Sequence, residues 1–451
     1  MDTLRLSRLR SHHPLGATPG GREPDGNCRR ARLRSAAVWA LALFAISCQD
    51  GVVTPEVENQ ANDRIDIINQ EGAFLGRVSY PDADVPINQA SSGLSSAPSL
   101  AGPMMAPATL KLKLVAEIAP PTINGSVVQA TSVAMEGSDK AMVSYNMRGA
   151  SRIGAIDWIT KLTSKPKISA SASFDDSDVS AVSFDGTYVY AAQATNSAEF
   201  PFPAVLERLK LVNDKFTLED NLRAPLTSYV ATSTVGTMNE IYATSGDGGH
   251  VFAFDKSSMA QLGQFPLDDA RWVAWDKDGM RVVVVQGTSG RLSVFSEGMF
   301  PGGSMDLQGT YSFPGANVAE SKSTADIAGG KAFVAAGPDG VQIVCLDDGA
   351  LLGSVPRPDP GALGLAPEVV VTNAVTVDED LMFISNGEAG VYIARGSGPF
   401  KDTGCTPQQI TVLGRLEFAD LQSANHVEFE NDHLFIAAGL GGVKVVKVTV
   451  K

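Results

Sequence analysis

Charged, aromatic and histidine side chains are scarce in this sequence of 451 residues. Charged residues make up 19%, aromatic residues 7%, and histidine occurs five times. Basic residues number 36 against 50 acidic ones, and the resulting net charge of −14 excludes a typical nucleic-acid-binding surface, which needs a basic face for phosphates. Hydrophobic residues reach 44%, enough to exclude a chain that is disordered throughout. The 44 glycines and 25 prolines favour many short strands and turns over long, solvated helices.

Familiar catalytic motifs are missing as well. Three histidines follow residue 47, and none belongs to an HxH or HExxH pattern of the kind that zinc sites use. There is no GxSxG nucleophile elbow. The glycines of GDGG at 246–249 join two predicted strands without a following helix, so they indicate a turn and not a phosphate-binding loop. The sequence therefore assigns no catalytic residue and no metal ligand.

The first 47 residues differ sharply from the rest. They contain eight arginines, no lysine and three acidic residues. The apolar run AAVWALALFAI at 36–46 is too short to cross a bilayer as a helix and suits the hydrophobic region of a signal peptide. It ends in AISC at 45–48, which resembles the bacterial lipobox with alanine where leucine is usual. We predict a lipoprotein signal peptide over 1–47 and lipidation of Cys48; the alternative is a plain secretory signal with an incidental cysteine.

This leader predicts that the protein is localised at the outer membrane of the cell envelope. Gln49 is not the aspartate that is linked with retention at the inner membrane. Removal of residues 1–47 leaves 28 basic and 47 acidic residues, a net charge of −19. Anionic lipid head groups repel such a protein, so we expect membrane contact through the lipid on Cys48 alone.

Residues 48–107 predict a disordered tether. They lack a sustained hydrophobic period and become rich in Ser, Ala and Pro, as in NQASSGLSSAPSLAGPMMAPA at 88–108. Such a composition buries too little apolar surface to fold alone. A short apolar patch at 73–80 is the part of this segment that offers a docking contact.

From residue 108 to residue 451 a pattern repeats seven times. Clear copies are KAFVAAGPDGVQIVCLD at 331–347, LMFISNGEAGVYIARG at 381–396 and HLFIAAGLGGVKVVKV at 433–448, each with an apolar strand, a glycine-bearing turn and an alternating strand. Equivalent positions in the seven copies, 41 to 53 residues apart, are Val143, Val189, Tyr242, Val283, Phe333, Phe383 and Phe435. Seven such units predict an all-β fold, a seven-bladed β-propeller with one four-stranded blade per unit.

The seventh repeat lacks an outer strand, because only a few residues follow its third strand. The missing strand is available near the other end of the ring, where TLKLKLVAEIA at 109–119 alternates cleanly. We predict that it completes the last blade and closes the ring, which removes exposed sheet edges.

The repeat core resembles a known bacterial family. An apolar strand followed by AxGxxGVxIV and an acidic residue resembles the LVIVD-repeat propellers of bacterial envelope proteins, and Cys345-Leu346-Asp347 approaches the family's Val-Asp ending. The resemblance covers about three quarters of the chain and is best in repeats five to seven. It implies an exported seven-bladed propeller from a family whose members mostly lack an assigned activity, and it carries over no catalytic residue.

Polar residues near the starts of the predicted inner strands form a candidate ligand site. Asp326, Asn373, Asn425 and His426 occupy or adjoin corresponding positions, where propeller side chains line the axial channel. We favour the interpretation that these groups cap strand ends and bind only water. A ligand-binding ring at the channel mouth is the alternative. His433 stands at a turn before a strand, and we expect it to face solvent.

Two cysteines remain beyond the leader and the lipid site. Cys345 ends a strand of the fifth repeat, and Cys405 lies in the long loop that leaves the sixth. Exported proteins meet an oxidising compartment, so we favour a disulfide between them over one buried and one exposed thiol.

Acidic clusters at 175–178, 347–348 and 378–380 predict solvated turns. Calcium takes six to eight oxygen ligands, and none of the clusters has the spacing of a calcium loop. Calcium is thus the alternative for these turns, and no other cofactor is expected.

These features favour a binding or scaffold module. We expect a lipid-anchored propeller whose loops face a protein or glycan of the cell envelope. The alternative is a propeller enzyme, a hydrolase or lyase acting on an exported polymer through its axial pocket, since propeller enzymes assemble their sites from separate blades. A third hypothesis is a housekeeping part of a larger outer-membrane complex that binds no small ligand.

Overall fold

The chain folds into seven consecutive antiparallel β-sheets. The computed structural model describes residues 60–88, 110–287, 289–318, 321–402, 404–416 and 423–450. The predicted signal peptide and the lipidation site at Cys48 lie outside these residues. Each inner strand contacts the inner strand of the next sheet, and the seventh contacts the first, so the sheets close into a ring around an axial channel. The predicted seven-bladed β-propeller is confirmed.

Blades 1 to 6 each contain a four-stranded meander that runs outward from the axis, and blade 7 has three consecutive strands and an outer strand from residues 110–118. The innermost strands of blades 1 to 7 are Gln129–Glu136, Ser177–Phe184, Ala231–Gly236, Ala270–Asp276, Ala325–Ala328, Ala374–Asp378 and His426–Glu430. The second strands are Lys140–Asn146, Tyr188–Thr195, Glu240–Ser245, Arg281–Gln286, Lys331–Ala335, Leu381–Ser385 and His433–Ala437. The third strands are Gly154–Thr160, Ala204–Val212, His250–Asp255, Arg291–Ser296, Val341–Cys345, Val391–Gly396 and Val443–Val450. The outer strands are Lys167–Phe174, Lys215–Pro225, Gln261–Pro266, Leu307–Ser312, Leu351–Val355, Ile410–Leu416 and, for blade 7, Leu110–Ile118.

Short elements occupy the connections. The 3-10 helices are Glu71–Arg77, Pro301–Gly303 and Pro367–Val369, a single-turn α-helix is Pro360–Leu363, and a small hairpin pairs Thr122–Ile123 with Ser126–Val127. Among the described residues no helix is long and apolar enough to cross a membrane.

The strand at 110–118 closes the ring as predicted from the sequence. It pairs antiparallel with the third strand of blade 7, with Ile118 opposite Val443 and Leu110 opposite Val450. Lys444 also forms an ion pair with Glu117 across this ladder. Residues more than 300 positions apart therefore complete one sheet.

The hydrophobic core lies between neighbouring blades, because both faces of every blade pack against another sheet. All seven equivalent positions identified in the repeats lie on second strands and are fully buried. Phe383 of blade 6 stacks on Phe429 of blade 7 with ring centroids 4.5 Å apart. This two-sided burial explains why the second strands read as continuous apolar runs.

Two glycines in each of the clear repeats allow the turn between the second and third strands. Gly442 has a φ of 68°, and a Cβ atom there would lie 1.9 Å from the carbonyl oxygen of Ile118. Gly340, at the same place in blade 5, has a φ of 74° and would bring its Cβ atom 2.0 Å from the carbonyl oxygen of Val355. The left-handed backbone and the close approach of the outer strand both require glycine.

The expectation of a disordered tether is wrong for residues 60–88, which we call the N-terminal strap. Ile65–Ile68 extends the outer edge of blade 1 and is paired in turn with Gln60–Ala61. Val78–Ser79 and Ala83–Val85 pair with the outer strand of blade 7, and Ile87–Asn88 pairs with that of blade 6. Added to sheet edges in this way, the segment is ordered without a core of its own. The rest of the predicted tether, 48–59 and 89–107, lies outside the described residues.

Buried charges hold the strap on the ring. Arg64 forms an ion pair of 2.5 Å with Glu207 of blade 2, whose side chain has no exposed surface. Asn69 donates to the backbone oxygen of Phe216 at 2.9 Å and accepts from its backbone nitrogen at 2.9 Å. Phe74, within the apolar patch identified in the sequence, is buried between blades 1 and 7. The strap thus contacts four adjacent blades and crosses the place where the ring closes.

Candidate functional site

A pocket of about 740 Å³ opens at one mouth of the axial channel. Blades 1 to 5 each contribute to its wall. The pocket lies on the face of the ring that carries the connections between blades and the turns between second and third strands. Its lining includes Asn146, Ser180, Tyr229, Trp272 and Lys322. Its volume falls in the range that small-molecule sites occupy, and its lining mixes aromatic and polar groups.

Arg271 fixes the wall between blades 4 and 5. Its guanidinium pairs with both carboxylate oxygens of Asp269, at 2.7 and 3.0 Å. It also donates to the backbone oxygens of Val318 and Ser321 and to the hydroxyl of Ser323. Arg271 is therefore neutralised and saturated with partners, which marks it as a structural residue.

Lys322 enters the pocket without a charged partner. It precedes the inner strand of blade 5, and its Nζ donates to the backbone oxygen of Ser180 in blade 2 at 3.0 Å. Because blades 2 and 5 are three places apart in the ring, this bond spans the axial channel. Burial lowers the pKa of the Lys322 ammonium to about 7. No carboxylate among the described residues pairs with it.

Trp272 and His426 also meet across the axis, from blades 4 and 7. Their ring centroids are 5.3 Å apart, and the backbone N–H of Val133 donates to His426 Nδ1 at 3.4 Å. Burial, with a smaller contribution from the Lys322 charge, lowers the pKa of His426 to about 3. The imidazole is thus neutral at physiological pH and acts as packing beneath the pocket.

Two carboxyl groups lie deeper in the channel. Asp326 accepts from the backbone N–H groups of Val377 and Ile327, each at 2.8 Å, and burial raises its pKa to about 6. Burial and then the Asp326 charge raise the pKa of Glu428 well above its ordinary value. Within the described part of the chain no hydrogen bond or ion pair reaches the Glu428 carboxyl group. The channel below the pocket is therefore lined by carboxyl groups that take up a proton at a higher pH than free carboxylates do.

The four residues of the predicted channel-mouth site do not come together in this pocket. His426 and Asp326 lie on inner strands as expected, but beneath the pocket. Asn425 donates from Nδ2 to the backbone oxygen of Ala130 at 2.9 Å, so it joins blade 7 to blade 1. Asn373 uses its backbone N–H and oxygen to join the strands of blades 5 and 6. Their role as a ligand site stays a prediction. The expectation for His433 is wrong, because it is buried and its Nδ1 contacts the backbone oxygen of Asn431.

Lys322 and Trp272 were not identified from the sequence. The segment Ser321-Lys322-Ser323 corresponds to Val371-Thr372-Asn373 in blade 6 and to Ser423-Ala424-Asn425 in blade 7. Comparison of the repeats could have identified Lys322, because it places a lysine where blades 6 and 7 have Thr372 and Ala424.

A second pocket of about 560 Å³ lies on the opposite face, between blades 1 and 2. Its Asp214 carboxylate is already paired, since it accepts from Lys140 Nζ at 2.6 Å and from Trp158 Nε1 at 2.9 Å. This saturation makes it a weaker candidate than the axial pocket.

The acidic clusters pair with basic side chains of the fold. Asp347 forms a 2.7 Å ion pair with Arg281, Asp380 one of 2.5 Å with Arg395, and Asp176 one of 3.5 Å with Arg223. In the described chain, the group that places three potential metal ligands together is Cys345, Asp347 and Cys405. Its two sulfur atoms are joined to each other, so calcium at the clusters stays the alternative that the sequence left open.

Cys345 and Cys405 form a disulfide bond with their Cα atoms 5.3 Å apart. It ties the loop between the third and outer strands of blade 6 to the third strand of blade 5. Lys331 supports the same loop by donating to the backbone oxygen of Asp402 at 2.9 Å, and Phe400 of the loop packs edge-on against Phe333. The loop is thus docked on its neighbour by a covalent bond, a hydrogen bond and an aromatic contact.

Comparison with known proteins supports the fold. No protein-family profile matches the chain, and no curated protein matches it. Among solved structures, a catalytically inactive virginiamycin B lyase from Staphylococcus aureus with quinupristin is similar, with 10% identity, a TM-score of 0.51, and coverage of 76% of this chain and all of that one. The WD40 domain of Neurospora crassa Pan2 has 9% identity, a TM-score of 0.48, and coverage of 71% and 89%. At 10% identity, the similarity to the lyase structure shows the propeller fold alone.

Proposed function

We propose that this chain is an exported, lipid-anchored β-propeller that acts as a binding module at the outer membrane. Its partner is a protein or glycan of the cell envelope. The face that carries the axial pocket makes the contact, and the lipid on Cys48 provides the anchor.

The observation that carries the proposal is the axial pocket itself. Five blades contribute side chains to it, and its rim includes Tyr229, which is 66% exposed. The guanidinium of Arg152 lies 4.6 Å from the centre of the Tyr229 ring. Exposed aromatic rings with adjacent polar groups are typical of binding surfaces. At the second pocket, by contrast, the Asp214 carboxylate is already bonded to Lys140 and Trp158.

Two further features support export and anchoring. The leader ends in a lipobox-like AISC, and the propeller contains a disulfide, a bond that persists in oxidising compartments outside the cytosol. These are arguments from sequence and chemistry, and both lead to experiments.

Fractionation of cells tests the anchor. The wild-type chain is expected in the outer-membrane fraction, and Cys48→Ala is expected in the soluble fraction. Cys28→Ala, which removes the other leader cysteine, is the matched control and should fractionate like wild type. Retention of Cys48→Ala in the membrane overturns the anchor.

Binding to envelope components tests the pocket face. Purified envelope glycans and cross-linked envelope proteins are each titrated against wild type, Tyr229→Ala and Met238→Ala. Met238 is 75% exposed at the turn between the first two strands of blade 3, on the opposite face, and serves as the control. We expect loss of binding in Tyr229→Ala alone. Equal binding by all three proteins contradicts the proposal, and shortening of an envelope polymer by wild type favours the enzyme alternative.

A further inference from the structure

Among the described residues, Lys322 is the cation of the axial pocket that no carboxylate neutralises. Arg271, the neighbouring cation, has Asp269 and three further oxygen atoms around it. Lys322 Nζ has the backbone oxygen of Ser180 as its hydrogen-bond partner among the described residues. An ammonium group offers three donors. Within the described part of the chain, two donors of this ammonium therefore remain without a protein partner.

A buried ammonium without a counter-ion is energetically unfavourable, because desolvation is not offset by attraction. The depressed pKa of Lys322 is a consequence of that environment. An anionic group placed against Nζ would restore the missing attraction and both missing hydrogen bonds. An anionic group is therefore expected to bind in this pocket more tightly than a neutral group.

The remaining walls suit a hydroxylated ring. Trp272 and Tyr229 supply aromatic surface, and Asn146, Ser180 and Thr232 supply amide and hydroxyl groups. Aromatic rings pack on the apolar faces of sugars, while amides and hydroxyls exchange hydrogen bonds with sugar hydroxyls. These groups line the same pocket as Lys322.

The acidic rim limits the charge of the ligand. Asp247 and Asp268 are exposed at the pocket edge, and the protein as a whole is strongly acidic. A polyanion is repelled by this field, whereas one negative group that reaches Lys322 is compensated there. We therefore expect the ligand to carry one anionic group, which the Lys322 ammonium compensates.

We propose that the axial pocket binds a saccharide unit that carries a single carboxylate, with the carboxylate on Lys322 Nζ and the ring beside Trp272 and Tyr229. The inference rests on the proposed binding function and names its ligand class, a uronic acid or a sugar of similar charge.

Calorimetric titration of the full mature lipoprotein in detergent tests the inference, with glucuronate and glucose as probes. Glucuronate is expected to bind wild type and Lys322→Arg. Lys322→Met, which keeps the length of the side chain but removes its charge, is expected to bind at least about tenfold more weakly, since a charge-assisted contact is lost. Glucose should be weaker than glucuronate by a similar factor. Lys447→Met, an exposed lysine on the third strand of blade 7, should match wild type.

Absence of glucuronate binding to wild type overturns the inference, as does equal affinity of wild type and Lys322→Met. Equal affinity for glucose and glucuronate overturns it too. These outcomes are separable from failure of the proposed function, because envelope binding that depends on Tyr229 is measured independently of the sugar-acid titration.

Discussion

Arg77 donates two hydrogen bonds, of 2.5 and 3.2 Å, to the carboxylate of Asp157, whose side chain has no exposed surface. Asp157 lies in the third strand of blade 1, and Arg77 ends the 3-10 helix of the N-terminal strap. Arg77 Nε also donates to the backbone oxygen of Ala119, directly after the outer strand of blade 7, at 3.0 Å. One guanidinium therefore joins the first and last blades where the ring closes.

Loss of this guanidinium is expected to destabilise the whole ring. Arg77→Ala leaves the Asp157 carboxylate buried without its partner, which typically costs about 3 kcal/mol or more. Denaturant unfolding measures the change. Arg148→Ala, at an exposed arginine of the same blade, is the control and should change stability by less than about 0.5 kcal/mol. Equal stability of both variants would show that the Arg77–Asp157 ion pair makes no net contribution to the free energy of unfolding.

The disulfide is expected to contribute stability by closing a long loop. Cys345 and Cys405 are 60 residues apart, and chain-entropy arguments give about 4 kcal/mol for a loop of that length. Cys405→Ser should lower the melting temperature, and reductant should lower that of wild type but not that of Cys405→Ser. Mass spectrometry before and after reduction checks the bond directly. Two free thiols in the native exported protein would refute it.

Gly442→Ala is expected to weaken closure of blade 7. The left-handed backbone alone costs about 1–3 kcal/mol for alanine, and the new methyl group collides with the Ile118 oxygen of the closing strand. Hydrogen exchange of residues 110–118 should accelerate more than that of blade 3. Gly398→Ala is the control, because a Cβ atom there meets nothing within 4 Å and its φ is not left-handed. Similar behaviour of the two variants contradicts the crowding argument.

Glu428 is expected to make the propeller less stable as the pH rises. Burial raises the pKa of its carboxyl group in the folded state, so its contribution is fully present below the unfolded pKa near 4.5 and is lost as the pH rises toward the folded pKa. Glu428→Gln removes this titration, and its stability relative to wild type should be higher at pH 8 than at pH 5. Glu430→Gln, at an exposed position of the same strand, is the control. If the stability difference between Glu428→Gln and wild type does not change with pH, the raised pKa of the Glu428 carboxyl group is contradicted.

Ligand binding at Lys322 is expected to take up a proton. With a pKa near 7 the free amine is largely neutral at pH 8, and an adjacent carboxylate raises that pKa, so up to about one proton is bound with the ligand. The charged and titratable groups around it in the described residues are Asp247, Asp268, Asp269 and Arg271 of the pocket and the neutral His426 beneath it. Glucuronate affinity should therefore fall between pH 7 and pH 9. Calorimetry in two buffers of different ionisation enthalpy measures the uptake, and Lys322→Arg should show none because its guanidinium stays charged.

The blades were predictable from sequence, but the strap and the pocket were not. Alternating strands and glycine turns are local signals, so positions such as Phe333 and Phe435 could be placed on second strands directly. The strap carries no such period, because it is ordered by pairing with existing sheet edges and by ion pairs such as Arg64 with Glu207, 143 residues away. Lys322 and Ser180 meet from opposite sides of the ring, and no spacing in the chain encodes that contact.

Under the proposed lipidation of Cys48, the strap also sets how far the ring stands from a membrane. An extended chain covers at most about 3.5 Å per residue, so the tether expected over 48–107 would span roughly 200 Å. The strap instead enters its first strand at Gln60, twelve residues beyond Cys48, which allows about 40 Å. The proposed lipid on Cys48 would therefore confine the rim of blade 1 to the layer next to the bilayer. Under this proposal, partners deeper in the surrounding compartment would have to come to the membrane, because the tether is too short for the propeller to reach them.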